Sequence, residues 1–361
     1  MKLTTGFALL GSLAAAVPSN LALRDATPLN AKLEMDGNSL VKATVTNTGT
    51  ENLRLFITGS ILDSIPVQKV QVFSDGEPLE FYGIYARVDA KHADEGSFKD
   101  LAPGSSLENS FDIAELYDLS QGGKFTVHSE GIISYSGASG NDLIGSVSFS
   151  SNSLDVDVDG AEAIKVQASS PLHQKPAIDK RTNLQGDCTG DRRTLVLSAM
   201  LLCAVYAETA VNFTFQHDIP DAKMIEYFKT ATAEAKIYVA SGFHKVANVC
   251  YEVQGGDTRL YCTDVYNGCG PGIFAYAVPR DSNMVLCPVY FDYPQTHTRG
   301  CHDSDSGTTL LHEVTHLSQT LGTADYNTYR YDDLRKLTSE QNLNHADTYT
   351  YYAQSLRVPN C

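Results

Sequence analysis

The fold of this chain is decided by Thr309-Leu310-Leu311-His312-Glu313-Val314-Thr315-His316-Leu317, which sets an H-E-x-x-H motif in an apolar frame. Such a run favours a helix, and in a helix His312 and His316 project from one face about one turn apart. That spacing suits two nitrogen ligands of one Zn²⁺, with Glu313 beside the metal and free to move protons. The motif therefore predicts a zinc-dependent hydrolase.

The residues after the motif bear on the third zinc ligand. A metzincin needs Gly and then His after the second histidine, but Gln319 and Gly322 stand at those positions. A gluzincin takes a Glu from a following helix, and Glu340 lies at a possible distance. Alternatively, Gly322 can adopt the left-handed conformation that ends a helix and turns the chain back. Such a turn could return Asp325 to the metal. Asp325 and Glu340 therefore both stay open as third ligands.

A wider pattern resembles a known family. His312-Glu313-Val314-Thr315-His316 is followed by Gly322-Thr323-Ala324-Asp325, then by Tyr329, and later by Asn344-His345-Ala346-Asp347-Thr348-Tyr349. This pattern resembles the deuterolysins, or aspzincins, a family of secreted fungal zinc endopeptidases. The resemblance implies one Zn²⁺ per chain bound by His312, His316 and Asp325, with Glu313 as the general base.

The resemblance also implies a tyrosine that donates to the developing oxyanion. Tyr329 is the candidate, but the family often places this tyrosine one residue earlier, where Thr328 stands, and follows it with Gly, where Arg330 stands. Tyr326 and Tyr331 compete with Tyr329 for the role.

Asp347 is implied by the resemblance to be an active-site neighbour that orients a ligand or binds a substrate group. It falls in a helix predicted from Glu340 to about Leu356, with a capping box at Thr338 and Gln341. Without the family pattern, an Asp in such a helix would be read as a solvated surface residue.

The N-terminal half is predicted to be removed in two steps. A charged start and a short apolar stretch predict a signal peptide over residues 1–19, and no other segment is expected to span a membrane. From Leu29 to Val158, short alternating runs separated by turn signals predict an antiparallel β-sandwich. A polar linker then ends at Lys180-Arg181, which suits a processing protease. We therefore predict a β-rich propeptide over residues 20–181 and a catalytic domain over 182–361.

All cysteines lie in the second half, which separates it from the first. They are Cys188, Cys203, Cys250, Cys262, Cys269, Cys287, Cys301 and Cys361. An even number in an exported chain predicts disulfides without fixing their pairing, and the absence of a C-x-x-C pair disfavours cysteine zinc ligands. The resemblance to deuterolysins implies the pairs Cys188 with Cys262, Cys269 with Cys287 and Cys301 with Cys361, which leaves Cys203 with Cys250.

The predicted fold class is α+β, a mainly helical zincin-type catalytic domain with disulfides preceded by an all-β sandwich-like propeptide. Helical patterns run from Thr194 to Val211 and from Ala222 to Ala240. Short strands and loops of the cysteine-rich middle come next, and then the helices of the metal site. Asn212-Phe213-Thr214 is an N-glycosylation acceptor if it lies in a loop that ends the first helix.

The acidic charge limits the partners. A formal net charge of −16 repels phosphates, so binding of nucleic acid is not expected, and it attracts basic polypeptides. We predict a secreted, extracellular, monomeric zinc metalloendopeptidase that acts on proteins or peptides and is made as a preproenzyme. The resemblance implies a preference for basic proteins such as histones and protamines. Thr350 stands where lysine-specific relatives carry an acidic residue, which argues against strict lysine specificity.

A non-enzymatic secreted interaction protein with a structural zinc site is the alternative. Structural zinc sites are usually closed by four protein ligands, whereas this motif supplies three ligands and a glutamate placed for proton transfer.

Overall fold

The computed structural model describes residues 27–174, 183–216, 219–293, 300–359 and 361. The predicted signal peptide and the Lys180-Arg181 pair lie outside the described residues. Within these ranges the strands are β1 (Leu29–Met35), β2 (Leu40–Asn47), β3 (Leu53–Phe56), β4 (Gln71–Ser74), β5 (Glu77–Pro78), β6 (Tyr85–Val88), β7 (Phe98–Leu101), β8 (Ser106–Asp112), β9 (Gly123–His128), β10 (Glu130–Ser136), β11 (Leu143–Ser150), β12 (Leu154–Val158), β13 (Arg259–Tyr261), β14 (Ile273–Val278) and β15 (Asn283–Leu286).

The helices in the same ranges are α1 (Ile113–Leu116), α2 (Gly160–Ser169), α3 (Gly190–Thr214), α4 (Ile219–Phe228), α5 (Ala233–Tyr251), α6 (Pro288–Asp292), α7 (Ser306–His316), α8 (Tyr331–Leu334), α9 (Ser339–Leu343) and α10 (Ala346–Ser355). The chain thus mixes helices and sheets, as the predicted α+β class requires.

The first part of the chain, residues 27–174, is dominated by small antiparallel sheets. Their strand orders are β1-β2-β8, β11-β10-β3-β7 and β12-β9-β4-β5. In β1, Leu29, Ala31 and Leu33 are buried and alternate with exposed residues, because successive side chains of a strand point to opposite faces. The inward residues of these sheets join one apolar core. The helix α2, which Asp159 caps, was not predicted.

The second part, residues 183–361, is built around α3, α5 and α7. By length and composition α3 is apolar enough to cross a membrane, although no such segment was expected. Its contacts are those of a core helix, since Cys203 is bonded to Cys250 of α5 and the Tyr206 hydroxyl donates to Asp305 at the start of α7 (2.7 Å). Asn212 lies inside α3, so the loop expected at this glycosylation motif is absent.

Four disulfides cross-link this second part and leave no free cysteine. The pairs are Cys188–Cys262, Cys203–Cys250, Cys269–Cys287 and Cys301–Cys361, as the resemblance implied.

The helix predicted over Ala222 to Ala240 is wrong in one respect, because the structure has two helices there. Lys229, with a left-handed φ of 56°, ends α4. The Thr232 hydroxyl then caps α5 by accepting a hydrogen bond from the Ala235 amide (3.2 Å). A threonine cap offers the backbone an alternative to a continuous helix, which the apolar pattern alone does not reveal.

The helix predicted from Glu340 to about Leu356 is also divided. The capping box at Thr338 and Gln341 is present, but α9 ends at Leu343 and α10 begins at Ala346. His345 lies in the break, and its Nε2 is 3.0 Å from the Asp325 carbonyl oxygen. The break therefore turns a buried imidazole toward the loop that carries Asp325.

One strand of the first part belongs to the sheet of the second part. The order of that sheet is β13-β15-β14-β6, and β6 runs antiparallel to β14 with Ala86 opposite Tyr276 and Arg87 opposite Ala275. A shared apolar cluster, which includes Phe56, Ile84, Tyr276 and Val285, seals the junction. This pairing brings the first part against α7.

Candidate metal centre and active site

Helix α7 carries the H-E-x-x-H motif and is buried along its length. It starts with a capping box, in which the Asp305 carboxylate accepts from the Thr308 amide (2.8 Å) and the Thr308 hydroxyl accepts from the Asp305 amide (2.7 Å). His312 and His316 lie one turn apart, with their Nε2 atoms separated by 3.1 Å. The helix predicted from the motif is confirmed.

A turn after α7 brings Asp325 to the two histidines. Gly322 adopts the expected left-handed backbone, with a φ of 64°, and the Thr323 amide donates to the Thr315 carbonyl (3.1 Å). The chain thereby folds back on the helix. As a result, Asp325 Oδ1 lies 3.4 Å from the Nε2 atoms of both histidines. Glu340, the other candidate ligand, is exposed on α9.

Both imidazoles are held with Nε2 facing Asp325. Nδ1 of His312 lies 2.9 Å from Asp347 Oδ1, and Nδ1 of His316 lies 2.8 Å from the Thr323 carbonyl oxygen. Partners of this kind fix the tautomer and the orientation of metal-binding histidines. Asp347, which the sequence placed near the site, thus contacts His312.

The three side chains fit a zinc ion. Potential ligand atoms of His312, His316 and Asp325 lie within 4.8 Å of one another. Asp325 Oδ1 is buried and has no hydrogen-bond partner among the described residues. Two imidazole nitrogens and one carboxylate oxygen are ligands that Zn²⁺ binds, with a position left for water or substrate.

The charged groups around the two histidines and Asp325 favour the binding of a cation. Burial lowers the pKa of His312, but the carboxylates of Asp347 and Asp325 outweigh burial and raise it to about 10. Burial likewise disfavours the ionised form of Asp325, yet His316 and His312 hold the pKa of that carboxyl below its usual value. Positive charge is therefore stabilised between the histidines and Asp325, where a metal ion would lie.

Glu313 lies on the same helix and is completely buried. Its Oε1 accepts a hydrogen bond from the Arg87 amide (3.0 Å), and its Oε2 has no hydrogen-bond partner in the described part of the chain. Burial is the main reason why the pKa of this carboxyl is raised to about 8, and Asp325 raises it further. A carboxyl group with an unengaged oxygen thus stands beside the centre.

The three candidate tyrosines differ in their surroundings. The Tyr331 hydroxyl donates to Glu226 (2.5 Å), and the Tyr326 hydroxyl accepts from the Asn344 amide (2.9 Å). Burial raises the pKa of Tyr329 well above its ordinary value, and the charges of Asp325 and Asp347 add to this shift. Of the three, Tyr329 is the one that these two carboxylates affect.

Strand β6 supplies residues at the centre that the sequence did not indicate. The Tyr85 ring stacks on His316, with centroids 4.6 Å apart. The Arg87 guanidinium pairs with Asp347 and donates to Ser304 Oγ (2.7 Å). A short strand-like run gives no sign of its partner, so no local signal would have found these contacts.

A second group of potential metal ligands, Cys301, His302 and Cys361, has another explanation. The two cysteines form a disulfide, and the Tyr227 hydroxyl oxygen lies 2.7 Å from His302 Nε2. These sulfurs are therefore not metal ligands.

Several known proteins are similar to this chain. The sequence matches the Deuterolysin metalloprotease (M35) family over residues 1–360. It is 42% identical over 356 residues to a "Neutral protease 2 homolog" of Colletotrichum graminicola, with 99% of each chain covered. It is 43% identical over 354 residues to a protein of the same name from Phaeosphaeria nodorum, with 97% of each chain covered. Among solved structures, a zinc peptidase from Grifola frondosa is 20% identical, with a TM-score of 0.38, and the match covers 46% of this chain and 97% of that one.

Proposed function

Because the chain belongs to the deuterolysin metalloprotease family, we propose that His312, His316 and Asp325 bind its zinc ion and that Glu313 moves the protons of peptide-bond hydrolysis. Family membership makes the chain a zinc metalloprotease and rules out the non-enzymatic alternative. The observation that carries the assignment is the convergence of two oriented Nε2 atoms on the unpartnered Asp325 Oδ1.

Each residue has a distinct part in the proposed mechanism. When held by His312, His316 and Asp325, Zn²⁺ would supply Lewis acidity, which would polarise the substrate carbonyl and lower the pKa of water. Glu313 takes a proton from the attacking water and delivers it to the nitrogen of the leaving amine. The Tyr329 hydroxyl donates a hydrogen bond to the oxygen on which negative charge develops. Asp347 holds the His312 ring through Nδ1 and so keeps Nε2 in place.

The proposed substrates are proteins, with a preference for basic ones such as histones and protamines. The charge of the proposed catalytic domain supports this preference: residues 182–361 contain 13 Lys and Arg against 20 Asp and Glu, a formal net charge of −7, which attracts polycations over a distance. The Asp347 carboxylate, which pairs with Arg87 of the first part, would offer a second, local source of negative charge once that part is removed.

We further propose that the enzyme is secreted as a preproenzyme, with a signal over residues 1–19, a propeptide over 20–181 and a catalytic domain over 182–361. The distribution of disulfides supports this division, because all four lie after residue 187. The proposed metal ligands and Glu313 also lie in that second part.

Glu313→Gln tests the proposed mechanism. The rate at which the variant digests a protein substrate should fall about a thousandfold or more, because a carboxamide cannot accept a proton from the attacking water. The variant should still bind about one zinc per chain. Glu340→Gln, which neutralises an exposed glutamate, is the matched control and should behave like the wild type. Digestion by Glu313→Gln at a rate near that of the wild type would disprove the role of Glu313.

A further inference from the structure

The edge of the catalytic sheet is filled by the chain itself. Without β6, strand β14 would be the edge of the sheet that β13, β15 and β14 form. An edge strand presents unpaired amide and carbonyl groups, with which an extended peptide can pair. Strand β6 pairs there in the antiparallel direction, next to α7. It therefore occupies the place where an extended substrate would add to the sheet.

The register of β6 places a peptide bond at the proposed proton carrier. The Arg87 amide, which is the nitrogen of the Ala86–Arg87 bond, donates to Glu313 Oε1 (3.0 Å). In hydrolysis, Glu313 would deliver its proton to the nitrogen of the broken bond. Tyr85, on the N-terminal side of this bond, covers His316 with its ring. The strand thus lies across the centre as a substrate would.

The Arg87 side chain anchors the strand. Its guanidinium pairs with Asp347 and donates to Ser304 Oγ (2.7 Å). Arg87 is 3% exposed and Asp347 is 0% exposed. A buried ion pair is costly to break from one side, because the remaining charge has no partner of equal strength.

A second segment of the first part covers Tyr329. Gly59 has a φ of 77°, and a side chain at this position would meet the Tyr329 hydroxyl oxygen at 2.7 Å. The Gly59 amide is held by Asp63 Oδ2 (2.6 Å), which keeps the loop against the tyrosine. Farther out, Ser146 Oγ donates to Asp333 Oδ1 (2.6 Å) and ties β11 to the second part. The β-rich part therefore contacts Glu313, His316, Asp347 and Tyr329.

We propose that Tyr85–Val88 is a substrate-like inhibitory strand and that Arg87 is its anchor, so that the zinc-loaded precursor is held inactive until the first part leaves. The inference rests on the proposed function of Glu313. The intramolecular strand has an effective concentration that free substrate cannot match while the first part stays attached. Removal of the strand frees the β14 edge, Glu313 and Asp347 together.

The test uses the full chain with zinc bound. Lys180→Gln and Arg181→Gln keep the first part attached, and cleavage of a short fluorogenic peptide reports access to the centre. Adding Arg87→Ala should raise the cleavage rate at least about tenfold, because the anchoring ion pair is lost. Lys99→Ala removes an exposed cation of β7 in the same part and should leave the rate of the parent chain unchanged. Arg87→Lys keeps the charge but loses the two-pronged contact, so its rate should lie between those of the parent and Arg87→Ala.

Circular dichroism and zinc content establish that each variant is folded. Equal rates for the parent and a folded Arg87→Ala chain would overturn the proposal, as would a parent chain as active as the processed enzyme. If Arg87→Ala does not fold, Tyr85→Ala, which removes the ring over His316, replaces it with the same expected rise in rate. Adding Glu313→Gln to the active variant separates the two ideas. If activity survives that change, the role of Glu313 fails, whereas the rise caused by Arg87→Ala is judged independently.

Discussion

The two parts of this chain are stabilised by different means. The first part, from β1 to β12, contains no cysteine and depends on short sheets around an apolar core, and it buries the cations Lys69 and Arg54. The second part has four disulfides and an aromatic cluster in which Phe243 packs against Tyr349 and Tyr352. Disulfides are typical of proteins in oxidising compartments, which agrees with the proposed secretion. The disulfides, which stabilise the fold, thus all lie in the part that contains the proposed active site.

The same contrast holds at the centre. The second part contributes the groups that we propose bind metal and transfer protons, whereas the first part contributes a strand and a loop that contact some of these groups. If the first part is removed as proposed, it needs no covalent reinforcement. If the two parts have these separate roles, changes in each part should have different effects on metal binding, activity and stability.

The largest effect should come from Asp325→Ala. Loss of one of three protein ligands should release the zinc and abolish proteolysis, well beyond the roughly 10- to 100-fold loss typical of a supporting contact. Metal analysis and a digestion assay of the same sample would measure both. Asp157→Ala, an exposed aspartate of β12, is the control in the first part and should change neither. Stoichiometric zinc in Asp325→Ala would transfer the ligand role to Asp347 or Glu340.

The second prediction concerns where the two parts separate. The active secreted enzyme should begin at Thr182, directly after Lys180-Arg181, and should keep full activity without the first part. N-terminal sequencing and intact mass of the active fraction would establish this. A fully active form that begins near residue 20 would contradict the division, because the β-rich part would then be a working domain.

The third prediction compares two disulfides of the second part. Replacing Cys301 and Cys361 by Ser opens a bond between residues 60 apart and should reduce the free energy of unfolding by about 4 kcal/mol in the chain-entropy picture. The same change at Cys269 and Cys287, which are 18 apart, should cost about 3 kcal/mol. Urea unfolding of the zinc-loaded enzyme measures both losses.

The two changes should differ in their effect on the centre. Cys361 ties the end of the chain that follows α10, and α10 carries Asp347, the partner of His312. Zinc affinity should therefore fall in the first variant more than in the second. Equal zinc affinities in the two variants would show that the terminal disulfide does not support α10. Two or more titratable thiols in the active, unreduced wild type would contradict the four-disulfide arrangement itself.

Local patterns explain why part of the site could be predicted from the sequence. The helix with His312 and His316 follows from apolar spacing, and a glycine that tolerates the left-handed turn permits the return of Asp325, although only the family resemblance favoured Asp325 over Glu340. The break before α10 escaped prediction because His345 is stabilised there by contacts with the Asp325 loop, not by its neighbours in sequence.

The contact between β6 and the centre lay beyond any local pattern. Arg87 and Glu313 are 226 residues apart in sequence, and their hydrogen bond depends on how two separate cores dock. Periodicity predicts short strands between Leu29 and Val158 in general, but it does not predict which sheet edge the strand Tyr85–Val88 joins. Nor does it reveal that Arg87 meets Asp347, since Arg87 reads as an ordinary charged residue and the family pattern around Asp347 names no partner in the first part.

The smallest expected effect concerns the stability of the first part and comes from Lys69. This residue is 3% exposed, and burial lowers its pKa to about 8, although Asp63 and Glu115 oppose the shift. Its ammonium group donates to the Ile65 carbonyl and lies 5.6 Å from the Phe111 ring centre. The folded state therefore releases this proton at a lower pH than the unfolded state does. Below pH 8 the cost of the buried charge is present in full.

As the pH rises from 7.5 to 9.5, more than half of this cost disappears and the first part should gain about 2 kcal/mol from this residue. Lys69→Met removes the titrating group while keeping much of the side-chain volume, so the gain should be absent. Urea unfolding of the full chain at pH 7.5 and 9.5 would give the change in the free energy of unfolding for the wild type and for the variant. Subtracting the change in the variant from that in the wild type removes the contribution of tyrosines that titrate in both chains. A wild-type chain that gains no more stability than Lys69→Met over this interval would show that burial does not lower the pKa of Lys69. The buried ammonium group would then carry no cost in the first part, which is the proposed propeptide.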